Sequence, residues 1–417
     1  MDLRLLRSDP DRVKAAFNLR GADVDLDALA ELDRRHRRLI AEVDDLRAEQ
    51  RRAGKAVTSA PQGDRGRAIA EARQISAKLE ALEAELAGAD QELSDALRQV
   101  PNLVHPDSPP GRGDENNVIL RSVGDRRGFD FQAKDHLALG ESLGIIDVRR
   151  AAKVSGSRFA FLLNEAALLE VALIRFALDR LTPLQFVPVF PPVLVREEAM
   201  YGTGFFPTDE AQVYKMASDD LYLAGTSEVP LASMHSGETF GEAELPRRYA
   251  GISTCFRREA GTYGKDTRGI IRVHQFDKVE MFSFCRPDAS EQEHLELLSI
   301  EEEIFQALEV PYRVVEICAG DLAAPNYRKF DIEAWLPGAE RWLEITSCSN
   351  DIDYQARRLG IRFKSEKGNV PVHTLNGTAI AVGRTIVALL ENHQRSDGSV
   401  AIPKQLQPYT GFDLIAP

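Results

Sequence analysis

The sequence predicts an α+β protein: an antiparallel sheet with flanking helices, preceded by an N-terminal antiparallel two-helix coiled-coil arm. Three observations predict it. Apolar residues recur at alternating steps of three and four through most of residues 26–100. A stretch rich in proline and glycine follows, and beyond it strand-like segments are separated by loops instead of forming regular βαβ units.

The arm comes first. Leu29, Leu32, His36, Leu39, Val43, Leu46, Gln50 and Ala53 form one seam. Ala68, Ala72, Ile75, Leu79, Leu82, Leu86, Ala89, Leu93, Ala96 and Val100 form the second. Such spacing lays an apolar stripe along one side of a helix. The intervening residues 54–63 are rich in helix breakers, so the helices turn back as a hairpin, each reaching roughly 40–50 Å at 1.5 Å per residue. Arg47, Arg51, Arg52, Lys55, Arg65, Arg67 and Arg73 gather toward its tip, while Asp25, Asp27, Glu92 and Asp95 lie at its base. A cationic tip suits a phosphate backbone. A dimerisation seam, a spacer or a solvated charged face fits the same periodicity.

Residues 101–113 carry the prolines and glycines of a domain boundary, dividing a helical-hairpin domain (1–105) from a larger domain (106–417). Within the larger domain, residues 162–181 read as a strongly apolar helix. Residues 187–195 contain Pro188, Pro191 and Pro192 and form at most an edge or interface strand. Residues 254–257 and 276–284 read as strands around a glycine-rich loop, 342–346 as a further short strand and 380–392 as a closing helix.

Composition narrows the function classes. Hydrophobic content of 43% and charged content of 28% suit a soluble globular protein. No apolar run approaches the roughly 18 residues of a membrane span, and residues 1–7 lack a secretory signal, so no membrane partner and a cytoplasmic location are expected. A net charge of −13 excludes a uniformly basic protein but leaves room for a basic arm. Cys255, Cys285, Cys318 and Cys348 are far apart, and the eight histidines show no metal-binding spacing. Buried free thiols and no zinc are expected. Neither GxxxxGK[ST] nor a dinucleotide fingerprint occurs, so any nucleotide site must be built another way.

Chemistry concentrates in residues 256–280. Arg257, Arg258, Arg268 and Arg272 supply guanidinium forks that match phosphate oxygens, and Phe276 offers a flat face for a base. A hairpin with an ion-pair network would use the same residue types.

The order of residues in this stretch, FRxEAGxxGxDTRGxxRxHQFxKVE, resembles the second class-defining motif of class II aminoacyl-tRNA synthetases. Its particular form looks like that of seryl-tRNA synthetases of the bacterial type. By that resemblance Arg257 holds the α-phosphate of ATP, Glu259 meets the purine amino group, Phe276 stacks on the adenine and Arg272 holds the bent triphosphate. Arg258 and Val273 join the implied ATP contacts, and the loop from Ala260 to Ile270 moves to admit the acceptor end of tRNA. The segment Phe190-Pro191-Pro192-Val193-Leu194-Val195 resembles the end of the first motif, which implies a homodimer interface, with Pro192 its characteristic proline. Tyr201-Gly202-Thr203-Gly204 follows as in the family, and residues 379–384 fit the third motif, Arg384 closing on the other side of the adenine. Glu344-Ile345-Thr346-Ser347 looks like the family's metal segment, with Glu344 and Ser347 bridging Mg²⁺ to phosphate.

For serine, the resemblance implies Thr226, Ser227, Glu228, Glu280, Asn376 and Thr378. Thr378 stands where the family usually has serine, and Ala379 where glycine is common. The N-terminal hairpin matches the arm that grips the long variable arm of tRNA(Ser). The implied function is ATP-dependent serine activation and charging of tRNA(Ser), and of tRNA(Sec) where present, with Arg257, Glu259 and Arg384 as the catalytic residues. Two alternatives remain: an amino acid:carrier-protein ligase of the same descent, which would lack the hairpin, and a non-catalytic RNA-binding scaffold.

Overall fold

In a computed structural model that describes residues 1–261, 268–366 and 368–417, the chain forms two compact units. Residues 1–18 and 22–101 make the first, residues 19–21 and 102–417 the second.

In the first unit, α1 (Leu3–Ser8) and α2 (Pro10–Arg20, whose last two residues belong to the second unit) precede the long helices α3 (Leu26–Ser59) and α4 (Arg65–Gln99). Asp25 caps α3, accepting from the backbone N–H of Ala28 at 2.9 Å. Leu29, Leu39 and Val43 are buried along α3, and Ile75, Leu79, Ala89 and Leu93 along α4. Contacts of Arg35 with Glu92 (2.8 Å), Arg47 with Glu83 (2.8 Å) and Gln50 with Ser76 (3.0 Å) run in opposite senses along the two helices, so the pair is antiparallel.

Two details differ from the periodicity. Asp33 is buried in the seam beside the half-buried Leu32 and His36, held by Arg7 at 3.0 Å and Arg37 at 3.1 Å. Paired guanidinium groups are what make a buried carboxylate tolerable. Helix α3 also continues through Gly54 to Ser59, because Thr58 and Ser59 donate their hydroxyls back to the carbonyls of Gly54 and Lys55, each at 3.1 Å.

The second unit is organised by eight strands: β1 (Val118–Val123), β2 (Phe186–Val189), β3 (Arg247–Phe256), β4 (Gln275–Cys285), β5 (Tyr312–Glu316), β6 (Arg328–Leu336), β7 (Arg341–Ile352) and β8 (His373–Ala381). They form one sheet in the order β1-β5-β6-β7-β8-β4-β3-β2. Neighbours run antiparallel except β2, which lies parallel to β3 at the edge, where a strand tolerates its one proline, Pro188.

One face of the sheet is covered by α6 (Asn164–Leu181), α8 (Ser290–Ala307) and α10 (Val382–Asn392). The remaining helices used below are α5 (His136–Ser142), α7 (Glu228–Ser233) and α9 (Tyr354–Leu359). Leu173, Phe176, Ile304, Phe305, Ile386 and Val387 meet Val279, Met281, Ile332 and Ile345 in a single core. Each such side chain stabilises the fold by about 1.5–3 kcal/mol on burial.

Two register shifts shape the opposite, polar face. Val279 pairs with Ile380 but Glu280 with Thr378, leaving Ala379 as an extra residue. Ile332 pairs with Thr346 but Glu333 with Glu344, leaving Ile345 extra. An extra residue changes which later side chains share a face.

The proline-rich linker is pinned to the second unit. Asn102 Nδ2 donates to the carbonyls of Pro325 (2.8 Å) and Asp351 (2.7 Å), and buried Arg20 donates to those of Asn326 (3.0 Å) and Leu322 (3.1 Å). Among the described residues, no helix is long and apolar enough to cross a membrane. All four cysteines are buried and free.

Candidate active site

The polar face of the sheet floors a cavity of about 440 Å³. Strand alternation builds it. Phe276, Lys278 and Glu280, at period two on β4, face the cavity, while Val279 and Met281 enter the core. Asn376 and Thr378 follow from β8, and Ser347 and Ser349 from β7. Glu344 joins Ser347 on the cavity side because of the extra Ile345 between them.

At one end the cations converge. Arg257 lines the cavity with its guanidinium carbon 5.4 Å from the centre of the Phe276 ring, and its Nε donates to the carbonyl of Gly225 at 3.1 Å. Arg384, from the first turn of α10, donates to the Glu344 carbonyl at 2.8 Å and pairs with its carboxylate at 3.3 Å. Arg272 pairs with Glu259 at 2.9 Å. Glu259 holds φ at +51°, a left-handed conformation that a non-glycine residue keeps only where its surroundings enforce it. Burial within the cleft opposes ionisation of Glu344. The cations Arg384, Lys329, Arg257 and Arg272 outweigh it and hold the carboxyl down to about 2. Its side chain is still 45% exposed and open to the cavity.

At the other end lies a small polar pocket. Glu280 is fully buried and receives Asn376 Nδ2 at 3.2 Å, Thr378 Oγ1 at 3.2 Å and the ammonium of Lys278. Lys278 also donates to Thr226 Oγ1 at 2.8 Å. Glu228, at the start of α7, accepts from Gln355 of α9 at 2.7 Å. Burial, then the nearby Asp351 and Glu280, push its carboxyl up to about 8. The buried Oδ1 of Asn376 has no hydrogen-bond partner among the described residues.

Most residues expected from the sequence therefore meet in one place, Val273 included. Two do not line the cavity. Arg258 is exposed, lies past the end of β3, and its backbone N–H donates to the Gln212 carbonyl at 2.8 Å. Ser227 is buried against β3, its Oγ 2.8 Å from where a Cβ on Gly251 would stand. Ile345 and Thr346 border the cavity while their side chains turn inward, Ile345 to the core and Thr346 Oγ1 to Glu301 at 2.9 Å. Residues 262–267 of the second motif's loop lie outside the described residues.

Sequence reasoning missed Lys278, although its period-two place between Phe276 and Glu280 was a usable signal. It also missed Lys329 and Gln212. Gln212 clamps Ala260 through both its amide groups, at 2.9 and 3.0 Å, across 48 residues with no local signal.

A metal ion would find a carboxylate and a hydroxyl here, Glu344 and Ser347, opening on one side of β7. Among the described residues no cluster of three or more His, Cys, Asp or Glu side chains could hold one. Two hard oxygens with room for water and phosphate fit Mg²⁺, which rarely takes a full protein cage.

Comparison with known proteins agrees with this architecture. Residues 1–104 match the seryl-tRNA synthetase N-terminal domain, and residues 212–393 match the tRNA synthetase class II core domain (G, H, P, S and T). The serine–tRNA ligase of Nocardia farcinica is 51% identical, over 100% of this chain and 99% of its own length. A crystal structure of seryl-tRNA synthetase from Pyrococcus horikoshii complexed with ATP superposes with a TM-score of 0.91 at 42% identity, covering 100% of this chain and 99% of the other. The cytoplasmic serine–tRNA ligase of Naegleria fowleri in complex with AMP gives 0.88 at 32% identity, covering 99% and 97%. With half the residues shared along the entire length and both domain models matched in order, the chain belongs to the seryl-tRNA synthetase family.

Proposed function

We propose that the chain activates L-serine with ATP to seryl-adenylate and transfers the seryl group to tRNA(Ser), and to tRNA(Sec) where that is present. One observation carries the reading: Arg257, Phe276 and Arg384 share a cavity with the buried Glu280–Thr378–Asn376 pocket. In this reading the adenine lies on Phe276 with Arg384 across from it, and Glu259 meets the purine amino group. Arg257 has no carboxylate within ion-pair distance among the described residues, which leaves its terminal nitrogens for the α-phosphate. Arg272 turns from Glu259 to the bent triphosphate.

The serine carboxylate attacks the α-phosphorus in line and pyrophosphate leaves. Catalysis is positioning and charge neutralisation by fixed cations, with no protein nucleophile. Glu344 and Ser347 would hold Mg²⁺, which supplies charge neutralisation at the phosphates when bound. Glu280, Thr378 and the free Oδ1 of Asn376 take the serine hydroxyl, and Glu228, beside Thr226, meets its ammonium. Alanine would leave these buried groups unpaired and be rejected.

Residues 1–105 act as the tRNA-binding domain, the exposed basic tip of the hairpin suiting the variable arm, and residues 106–417 as the catalytic domain. The active form is a homodimer through α6 and residues 186–195. Leu168, Val171 and Phe190 there are 56%, 66% and 80% exposed, which supports a covering partner. The location is cytoplasmic. Serine-dependent ATP–pyrophosphate exchange and tRNA(Ser) charging, measured on one sample, test the proposal. No exchange would leave the scaffold reading; exchange without charging would favour the carrier-protein ligase.

A further inference from the structure

A buried polar cluster stands just outside the cavity. His136 opens α5 and is 4% exposed; Glu391, in the last turn of α10, is fully buried. The Glu391 carboxylate accepts from three donors: the backbone N–H of His136 (3.1 Å), that of Gly338 (3.0 Å) and His136 Nδ1 (3.2 Å). The other ring nitrogen of His136, Nε2, accepts the backbone N–H of Ile270 at 3.3 Å. The tautomer follows: Nε2 carries the lone pair, so Nδ1 carries the hydrogen that points at Glu391.

Ile270 is the point where the chain returns from the second motif's loop, and Ile270, Ile271, Arg272 and Val273 then form one wall of the cavity. Helix α10 grips this return at two places. Arg384 Nε donates to the Ile271 carbonyl at 3.4 Å. Glu391 stands seven residues further, two helical turns along the same face, and acts through the His136 ring. Gly269, at φ +72°, lies so close to the ring that a Cβ would stand 1.9 Å from Nε2. No other residue fits between loop and ring.

We infer that His136 is a positioning residue for ATP: with Glu391 as its orienting partner, it fixes Ile270 and thereby sets the wall that carries Arg272. This rests on the synthetase reading of the cavity. It acts on the nucleotide end, because Ile270 leads directly into Arg272, whereas the serine pocket is built on β4, β8 and α7.

Two measurements test it. Hydrogen exchange on the wild-type full chain should find the Ile270 amide strongly protected. Exchange there at the rate of an open loop overturns the anchor. That readout needs no activity, so its failure is distinct from a failure of wild-type serine-dependent exchange, which would sink the synthetase reading itself. His136→Phe keeps the ring volume and removes the acceptor. It should raise the KM for ATP about tenfold, the order expected for one buried donor left unpaired, with the KM for serine moving less than about twofold. Equal shifts in both, or none in a folded variant, overturn the proposal. Should His136→Phe not fold, His136→Gln decides: its Oε1 can accept from Ile270, so a KM for ATP within about threefold of wild type supports the anchor and a tenfold rise rejects it.

Discussion

Glu344 and Ser347 stand three residues apart on one strand and yet open into the same cavity, because Ile345 has no residue opposite it on the neighbouring strand. A regular strand would send residues at that spacing to opposite faces. The bulge thus brings two oxygens of one strand to a single site. Replacing Glu344 by Gln should raise the Mg²⁺ concentration for half-maximal exchange on the order of tenfold or more. An unchanged Mg²⁺ titration would remove Glu344 from the metal assignment.

Arg257 carries the largest expected effect on rate. Its Nε is tied to the Gly225 carbonyl, which aims the remaining nitrogens into the cavity. Arg257→Ala should lower kcat for exchange roughly 10²–10³-fold, as for loss of one preorganised group at developing charge. Arg257→Lys should recover only part of this, since an ammonium lacks the planar fork. A loss below about fivefold in the alanine variant would contradict the role.

Thr378 separates hydroxyl chemistry from pocket size. Its Oγ1 donates to Glu280 at 3.2 Å, so Thr378→Ser should keep serine binding near wild type. Thr378→Val matches the volume without the donor, and the KM for serine should rise roughly 10-fold or more while that for ATP stays constant. If valine is tolerated, recognition of serine does not pass through this bond.

Much of this arrangement was legible in the sequence, for identifiable reasons. The three-four repeat exposed the hairpin because a two-helix arm has no other way to bury apolar surface. Prolines in residues 187–192 marked β2 as an edge strand. Arg257, Phe276 and Arg384 could be named because a motif keeps them in order. What stayed hidden depends on pairing between distant segments. The bulges at Ile345 and Ala379 follow from register with other strands. Ala379 takes the unpaired place without a positive φ, so the glycine common there is not needed by the backbone. Arg258 and Ser227 look equivalent to their neighbours in sequence, but Arg258 lies past the end of β3 and Ser227 stands at the N-cap of α7, so each is placed by the path of the chain outside any strand.

The hairpin can be removed as a test of division of labour. Its seam residues pack between α3 and α4, within the first unit. Deleting residues 30–98 should therefore spare serine-dependent exchange and abolish charging of tRNA(Ser). Persistent charging at a comparable kcat/KM would overturn the assignment of tRNA recognition to the arm.

In the proposed reading, Glu228 makes serine binding a proton-linked event. Burial, followed by the negative charges of Asp351 and Glu280, raises its carboxyl to about 8, against the smaller opposing pull of Lys278 and Gln355. At pH 7 the side chain therefore holds its proton in the free protein. The arriving serine ammonium favours the charged carboxylate and lowers that pKa, so protons leave on binding. Release should approach one proton per site near pH 7, fade above about pH 8 where the group is already ionised, and fade again below the lowered pKa where it stays protonated. Calorimetric titration of serine in two buffers of different ionisation enthalpy counts these protons. Glu228→Gln should abolish the release; proton uptake, or an unchanged count in that variant, would show that the ammonium is met elsewhere.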